Sequence, residues 1–356
     1  MKKNIFPIII SILVVSIILT LPFILPKRKL RKYSDEELRQ TALSRNMLPN
    51  PKTYKELLKI IDNPQNHMTK KKIKLGKKLF FDTILSRDKT ISCANCHILS
   101  EGGDDNLPTA IGFKGRKNPS HLNSPTVLNA ALAKAEFWDG RAKDVEEQAG
   151  GPIQTHFEMN MSQDYVIKRL KNDVNYVQEF QKVFKNGITF ENVKKAIGAY
   201  ERTLLTRGSY DRFLEGDDNA MSEEAKKGFA LFINLGCKGC HTGRSVGGQS
   251  LQRFPLRRCS SLYDLKCWFS SDRFPFKNQG GFLGKNDMQL FRVPILRNVI
   301  RTSPYFHNGA IKDIKEVVKI MGKHQIGVEL TKIQIDEIVA FLKTLNGKIV
   351  DYNIGG

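Results

Sequence analysis

The sequence predicts a mainly α chain of two similar halves behind an N-terminal membrane segment. Three observations predict it: the pattern Cys-x-x-Cys-His occurs twice, at Cys93–His97 and Cys237–His241, 144 residues apart; apolar residues recur at helical spacing through most of the chain, with few strand signals; and an apolar run opens it. With 356 residues and 40% hydrophobic composition, the chain can bury a proper core.

The apolar run, Phe6 to Leu25, follows Lys2 and Lys3 and is long enough to span a bilayer. A cleaved signal peptide is usually shorter in its apolar part and ends in small residues, whereas here Leu25-Pro26-Lys27-Arg28-Lys29 follows, so residues 1–26 read as an uncleaved anchor, with a cleaved signal as the other reading. The basic cluster Lys27, Arg28, Lys29, Arg31 and Lys32 by itself places the body in the cytoplasm, against the extracytoplasmic side argued below. Residues 27–67 are polar and punctuated by Pro49-Asn50-Pro51, and read as a tether with a weak helix near Tyr54 to Ile61.

The first folded unit, 68–215, begins with Ile73, Leu75, Leu79 and Phe80 at helical spacing before the first cysteine motif. The second, 216–350, repeats that arrangement: Gly228, Phe229, Leu231 and Phe232 precede Cys237. Between the motifs, helices are predicted over 163–184 and over 190–205, the latter with Val193, Ile197, Tyr200 and Leu204 on one face; a last helix is predicted over 331–345.

In Cys-x-x-Cys-His, two thiols three positions apart on a helical turn reach the two vinyl groups of one haem, and the adjacent histidine points beneath the iron. A lone Cys-x-x-Cys also suits zinc or a redox pair, but a following histidine, twice, in a chain with a membrane-targeting segment, selects two covalently bound c haems. Cys93, Cys96, Cys237 and Cys240 therefore attach the cofactors, and His97 and His241 ligate iron. The fold class becomes two cytochrome c-like domains, each with one c haem. Such haems are attached outside the cytoplasm, which places the body in the periplasm, held at the inner membrane. Of the six cysteines, Cys259 and Cys267 remain, close enough in sequence for a local disulfide, or present as two thiols.

A formal charge of +21 suits nucleic acid, an anionic membrane or an acidic protein, but the basic residues are dispersed and no nucleic-acid motif accompanies them. Nucleic acid is excluded as a partner. Near the second motif, Met321 is a candidate axial ligand; taken alone, it reads equally as a core methionine.

Over roughly Lys71 to Asn346 the sequence resembles the bacterial di-haem cytochrome c peroxidases, and also their di-haem MauG-like oxidase relatives. The resemblance is carried by Gly102-Gly103-Asp104 through Gly112, Asn123-Ser124-Pro125-Thr126-Val127-Leu128-Asn129, Phe137-Trp138-Asp139-Gly140-Arg141, Gly151-Pro152-Ile153 with Glu158-Met159, Val293 through Asn298, and Pro304-Tyr305-Phe306-His307-Asn308-Gly309. It implies that Met321, fourteen residues after His307, is the sulfur ligand of a high-potential C-terminal haem. It implies that Trp138 relays electrons between the haems, where a core aromatic is the alternative. Glu158 is implied as the acid–base group over the peroxidatic N-terminal haem, with Gln148 its hydrogen-bonding neighbour. Asn123 and the carbonyls of Thr302 and Pro304 match an inter-domain calcium site, an all-oxygen set that suits a hard cation.

One position departs from the pattern. Where many members carry a histidine that ligates the resting peroxidatic haem, this chain has Phe113, which cannot coordinate iron. The expectation is an N-terminal haem that needs no reductive activation, unless His121 or His156 supplies the missing ligand. The implied reaction is reduction of hydrogen peroxide to water, with electrons from a small c-type cytochrome or cupredoxin passing through the C-terminal haem, in a homodimer. Two other readings stand beside it: a MauG-like oxidase acting on a protein or organic substrate, against which Met321 counts because the best-known members have tyrosine there, and a non-catalytic electron carrier, against which Phe113 and Glu158 count.

The two motifs predict two haems per chain by pyridine haemochrome assay. Replacing Cys237 and Cys240 by alanine should leave one, and an unchanged ratio would remove the second motif from haem attachment.

Overall fold

The computed structural model describes residues 30–259 and 272–354. The apolar run Phe6 to Leu25 and Cys267 lie outside them, and among the described residues no helix is long and apolar enough to cross a membrane. The described chain from Tyr33 onward is one compact, mainly helical unit with two apolar cores.

Residues 30–67 do not form a free tether. Helix α1 (Asp35–Leu43) starts at Ser34, which shares a capping box with Glu37, and α2 (Tyr54–Ile61) starts at a Thr53/Glu56 capping box. Leu38, Ala42 and Met47 enter the core around the second cysteine motif, whereas Leu57 and Ile61 enter the first. Pairs of apolar residues four apart gave these polar helices a buried edge that composition alone concealed.

The first core is built on α3 (Lys70–Phe81) and α8 (Phe190–Glu201), with α5 (Val145–Gln154), α6 (Gln163–Lys171) and α7 (Val174–Gln181) around them. The helix predicted over 163–184 is thus two helices. Asp173 breaks it by accepting from the backbone N–H groups of Asn175 and Tyr176, which starts a new helix. The single turn Cys93–Cys96, α4, carries the first cysteine pair.

The second core repeats the plan with α9 (Ser209–Leu214), α10 (Glu223–Asn234), α11 (Ile314–Met321) and α12 (Lys332–Thr344). In each half the helix before the cysteine motif crosses a later helix at a glycine. A Cβ on Gly76 would meet the Ala196 carbonyl oxygen at 1.9 Å, and one on Gly228 the Glu337 carbonyl oxygen at 1.8 Å. The spacing between the paired helices is therefore set by the missing side chain.

Two short antiparallel pairs lie outside the helices: β1 (Thr206–Gly208) with β4 (Gly347–Ile349), and β2 (Leu251–Arg253) with β3 (Leu290–Arg292). The largest fully buried side chain is Arg297, whose guanidinium donates to both Asp211 oxygens at 2.9 and 3.0 Å, each partner 0% exposed. Burial pushes the Asp211 carboxyl up, but the Arg297 charge and the N–H groups of Asn50 and Gly208 outweigh it and hold it below the usual range. The same guanidinium reaches the Arg244 and Leu48 carbonyls, so one ion pair fastens α9 to the segments that flank the second cysteine motif.

Gly76→Ala and Gly228→Ala should each destabilise the fold by about 1–3 kcal/mol or more, because a backbone carbonyl cannot move away as a flexible side chain does. Thermal unfolding of the haem-loaded protein checks this; a neutral result would show that the crossings are looser than the structure has them.

Candidate functional site

Two cavities open inside this framework. The first, of about 130 Å³, is lined by Cys93, Cys96 and His97; the second, of about 440 Å³, by Cys237, Cys240 and His241. Each motif thus presents both sulfurs and its histidine to one cavity. Burial pushes the Cys96 and Cys237 thiols up to about 12 and raises Cys93 and Cys240 as well. A redox cysteine pair needs the opposite shift, so these environments fit thiols held for thioether bonds.

In the first cavity, Asn95 accepts from the Ser92 backbone N–H at 2.7 Å and from its hydroxyl at 3.0 Å, which closes the turn that carries both cysteines. His97 uses Nδ1 on the Gly103 carbonyl at 3.1 Å, which leaves Nε2 as the nitrogen available to a metal. Burial lowers the pKa of His97 and brings that of His241 down to about 4, with the backbone of Val246 and Pro294 only partly offsetting it, so both rings are neutral and competent to ligate.

Met321 ends α11, where the helix widens into a turn over Gly322–Ile326, and lines the second cavity with His241. Glu158 and Gln148 line the first. Gln148 projects from α5; beyond that helix the chain doubles back, with the Met159 N–H donating to the Pro152 carbonyl at 3.1 Å, and this return sets Glu158 beside the same space. Burial raises the pKa of the Glu158 carboxyl, while the charge of Arg141 and a hydrogen bond from Thr155 oppose the rise.

Trp138 lines both cavities, as do Asn123, Ser124, Pro125 and Thr126. The indole N–H donates to the Asn123 carbonyl at 2.9 Å, so the wall between the two spaces is one ring bonded to one strand of backbone. Asn123, Thr302 and Pro304 also meet at the second cavity, where the Asn123 side-chain amide lies 3.4 Å from the Pro304 carbonyl.

Phe113 is buried and does not line the first cavity; its backbone N–H donates to the Glu158 carbonyl at 2.7 Å. Neither candidate substitute histidine reaches that cavity. His121 pairs with the Thr109 hydroxyl at 2.5 Å, and His156 is exposed against Phe157. Cys259 is disulfide-bonded, while its predicted partner Cys267 lies outside the described residues.

Several cavity residues had no assigned role from sequence. Glu136 and Glu201 line the first cavity and are buried, and Asp104 lines the second with both carboxyl oxygens buried and unpartnered. Arg292, between the cavities, has a buried Nη1 that makes no hydrogen bond and lies 3.9 Å from Glu136. One of these was legible: Glu201 stands four residues after Ile197, on the apolar face of α8, where a carboxyl marks a buried special position. Arg292 carries no such signal.

A family model described as di-haem cytochrome c peroxidase matches residues 70–219. The chain is 43% identical over 281 residues to the cytochrome c551 peroxidase of Pseudomonas aeruginosa, covering 77% of this chain and 78% of the relative. It is 39% identical over 289 residues to the cytochrome c551 peroxidase of Nitrosomonas europaea, covering 79% and 81%. The fold matches the crystal structure of a MauG-like protein associated with microbial copper homeostasis with a TM-score of 0.69 at 23% identity, covering 82% of this chain and 95% of that one. Two haem-attachment motifs on separate cavities, joined by a shared tryptophan wall, together with these likenesses, make the chain a member of the di-haem cytochrome c peroxidase family.

Proposed function

We propose that this chain reduces hydrogen peroxide to water in the first cavity, with electrons received at the second from a small c-type cytochrome or cupredoxin. The observation that carries the reading is Trp138, which lines both cavities while Glu158 and Gln148 line one and Met321 the other. Bound through His97 and His241, the two haems supply the iron and the reducing equivalents for cleavage of an O–O bond.

The protein's part is to place peroxide and move its proton. Glu158, ionised, takes a proton from one peroxide oxygen and returns it to the oxygen that leaves as water. Gln148, from α5, orients the substrate for that transfer. The Arg141 charge opposes the rise that burial gives Glu158 and so favours the ionised form. Phe113 brings no ligating atom to the first cavity, which supports activity of the oxidised protein without prior reduction. In the second cavity, which His241 and Met321 both line, the Met321 sulfur would be available to a haem held there; histidine with methionine ligation would raise its potential and suit the electron-receiving site. The same methionine separates this reading from that of an oxidase.

Asp104 supports a calcium ion near Asn123, Thr302 and Pro304: a carboxylate buried without a partner is costly, and a hard cation held by amide and carbonyl oxygens would satisfy it. Among the described residues no three of His, Cys, Asp and Glu cluster as a metal site, so neutral oxygens would complete the set around Asp104. The two apolar cores support two haem domains, but not the expected bounds 68–215 and 216–350, because Tyr210, Phe213 and Leu214 of α9 pack in the second core and residues before 68 enter both. The disulfide at Cys259 supports an oxidising, periplasmic location; within this reading, residues 1–26 are the anchor and a homodimer is the working form.

The test is steady-state peroxide reduction by the fully oxidised, calcium-loaded protein with a reduced c-type cytochrome; no turnover in that state would remove the activation-free reading. EPR of the resting protein should show one high-spin and one low-spin haem. Glu158→Gln should lower turnover about 10²-fold or more with both haem spectra retained, and full activity would take the glutamate out of the reaction. Met321→Ala should lower the potential of the second haem, whereas an unchanged potential would refute sulfur ligation.

The pH dependence follows from the raised Glu158 pKa. The base is the ionised form, so activity is lost as pH falls through a pKa above the ordinary carboxylate range. Arg141→Ala removes the opposing charge and should move the acid limb of kcat/KM to still higher pH; a limb that stays in place would assign it to another group.

A further inference from the structure

The proton that Glu158 moves is one that peroxide already carries, so this shuttle leaves the balance of the reaction unfinished. Each peroxide reduced consumes two electrons and two further protons: one O–O bond breaks, two O–H bonds form, and two waters leave. The electrons come from the donor. The protons must reach the first cavity.

Three carboxyls lead there. Glu146, on α5, is buried; Asn66 donates to it at 2.7 Å, and Arg202 grips it with both guanidinium nitrogens, one at 2.6 Å. It also lines a recess of about 180 Å³ bounded by the exposed Lys143 and Glu147 together with Asp144, so water reaches its surroundings. Glu201 precedes Arg202 on α8, is 5% exposed and lines the first cavity. Glu136, also 5% exposed, lines the same cavity from the segment before Trp138, with Arg292 behind it at 3.9 Å. A buried carboxyl facing a reaction cavity has no structural use unless it is hydrogen-bonded or exchanges a proton.

We propose that Glu201 and Glu136 form the proton-delivery route of the first cavity, drawing protons from the recess at Glu146 and giving them to the reacting oxygens as electrons arrive. This rests on the peroxidase reading and supplies the two protons that reading leaves unassigned. Glu146, ion-paired with Arg202, is the outer acceptor; Glu201 and Glu136 are the inner donors.

The charges around the pair agree. Burial raises Glu201 well above the ordinary range, the negative fields of Glu136 and Glu146 add to it, and Arg202 opposes. Burial also brings Glu136 up to about 7, with Arg292 pulling it down and Asp144 pushing it up. Both carboxyls are therefore biased toward the protonated form, with the Arg202 and Arg292 charges opposing that bias.

The test uses the two-haem protein with Glu136→Gln, Glu201→Gln and the double variant; glutamine keeps the shape of the protonated acid and cannot release a proton. Reduction of the wild type, followed with a pH indicator in weak buffer, should take up protons, and the midpoint potential of the first haem should fall as pH rises through about 7. The double variant should take up fewer protons, lose that slope, and show kcat for peroxide down about tenfold or more with KM unchanged; Glu201→Asp should restore part of kcat. If Glu201→Gln does not fold, the single Glu136→Gln protein carries the same readouts. A double variant whose proton uptake and potential slope match the wild type overturns the route, even if kcat falls, because a merely structural role lowers kcat alone. If the wild type reduces no peroxide, the functional reading fails separately, since uptake and slope still decide the relay.

Discussion

The hydrogen bond from the Trp138 indole to the Asn123 carbonyl is the contact on which the two-cavity arrangement depends. It joins the Phe137–Arg141 segment to the Asn123–Thr126 backbone, and those residues are the partition shared by both cavities. If the wall were thicker, electrons would have further to travel between cofactors; if absent, one space would replace two. A single aromatic ring with a fixed N–H satisfies both demands, because it separates the cavities sterically while adding little distance.

The two cavities are chemically unlike. The first is ringed by ionisable and amide groups, with Glu136, Gln148, Glu158 and Glu201 on its lining. The second is lined largely by apolar and aromatic side chains, among them Phe232, Phe291, Ile314 and Val318, with Met321 the soft donor. Proton-consuming chemistry needs acids within reach, and burial raises the pKa of each of these carboxyls. Electron transfer needs the reverse: few polar groups that must reorganise and a sulfur-ligated iron closed to outside ligands. The repeated helix crossings at Gly76 and Gly228 give both halves one scaffold, on which the linings have diverged.

Much of this was legible in the chain. The Cys-x-x-Cys-His motifs fixed where the cofactors attach, since their chemistry is local to five residues, and helical periodicity located α12 almost to the residue and picked out buried residues of α3 and α10. Capping boxes at Ser34 and Thr53 were also there to read, yet the polar composition of 27–67 masked a segment that contributes to both cores. The break at Asp173 was obscured because the apolar pattern runs on through it.

What the sequence determined by itself was therefore the identity of the attachment groups, the helices and their repeat, because each depends on neighbours a few residues away. Only the tertiary structure decided that Trp138 faces both cavities, that Phe113, His121 and His156 stay out of the first, and that Glu136 and Glu201 line that cavity while Glu146 lines a surface recess. Those carboxyls lie on separate elements, and burial and mutual field, which give them their chemistry, exist only once the chain has folded.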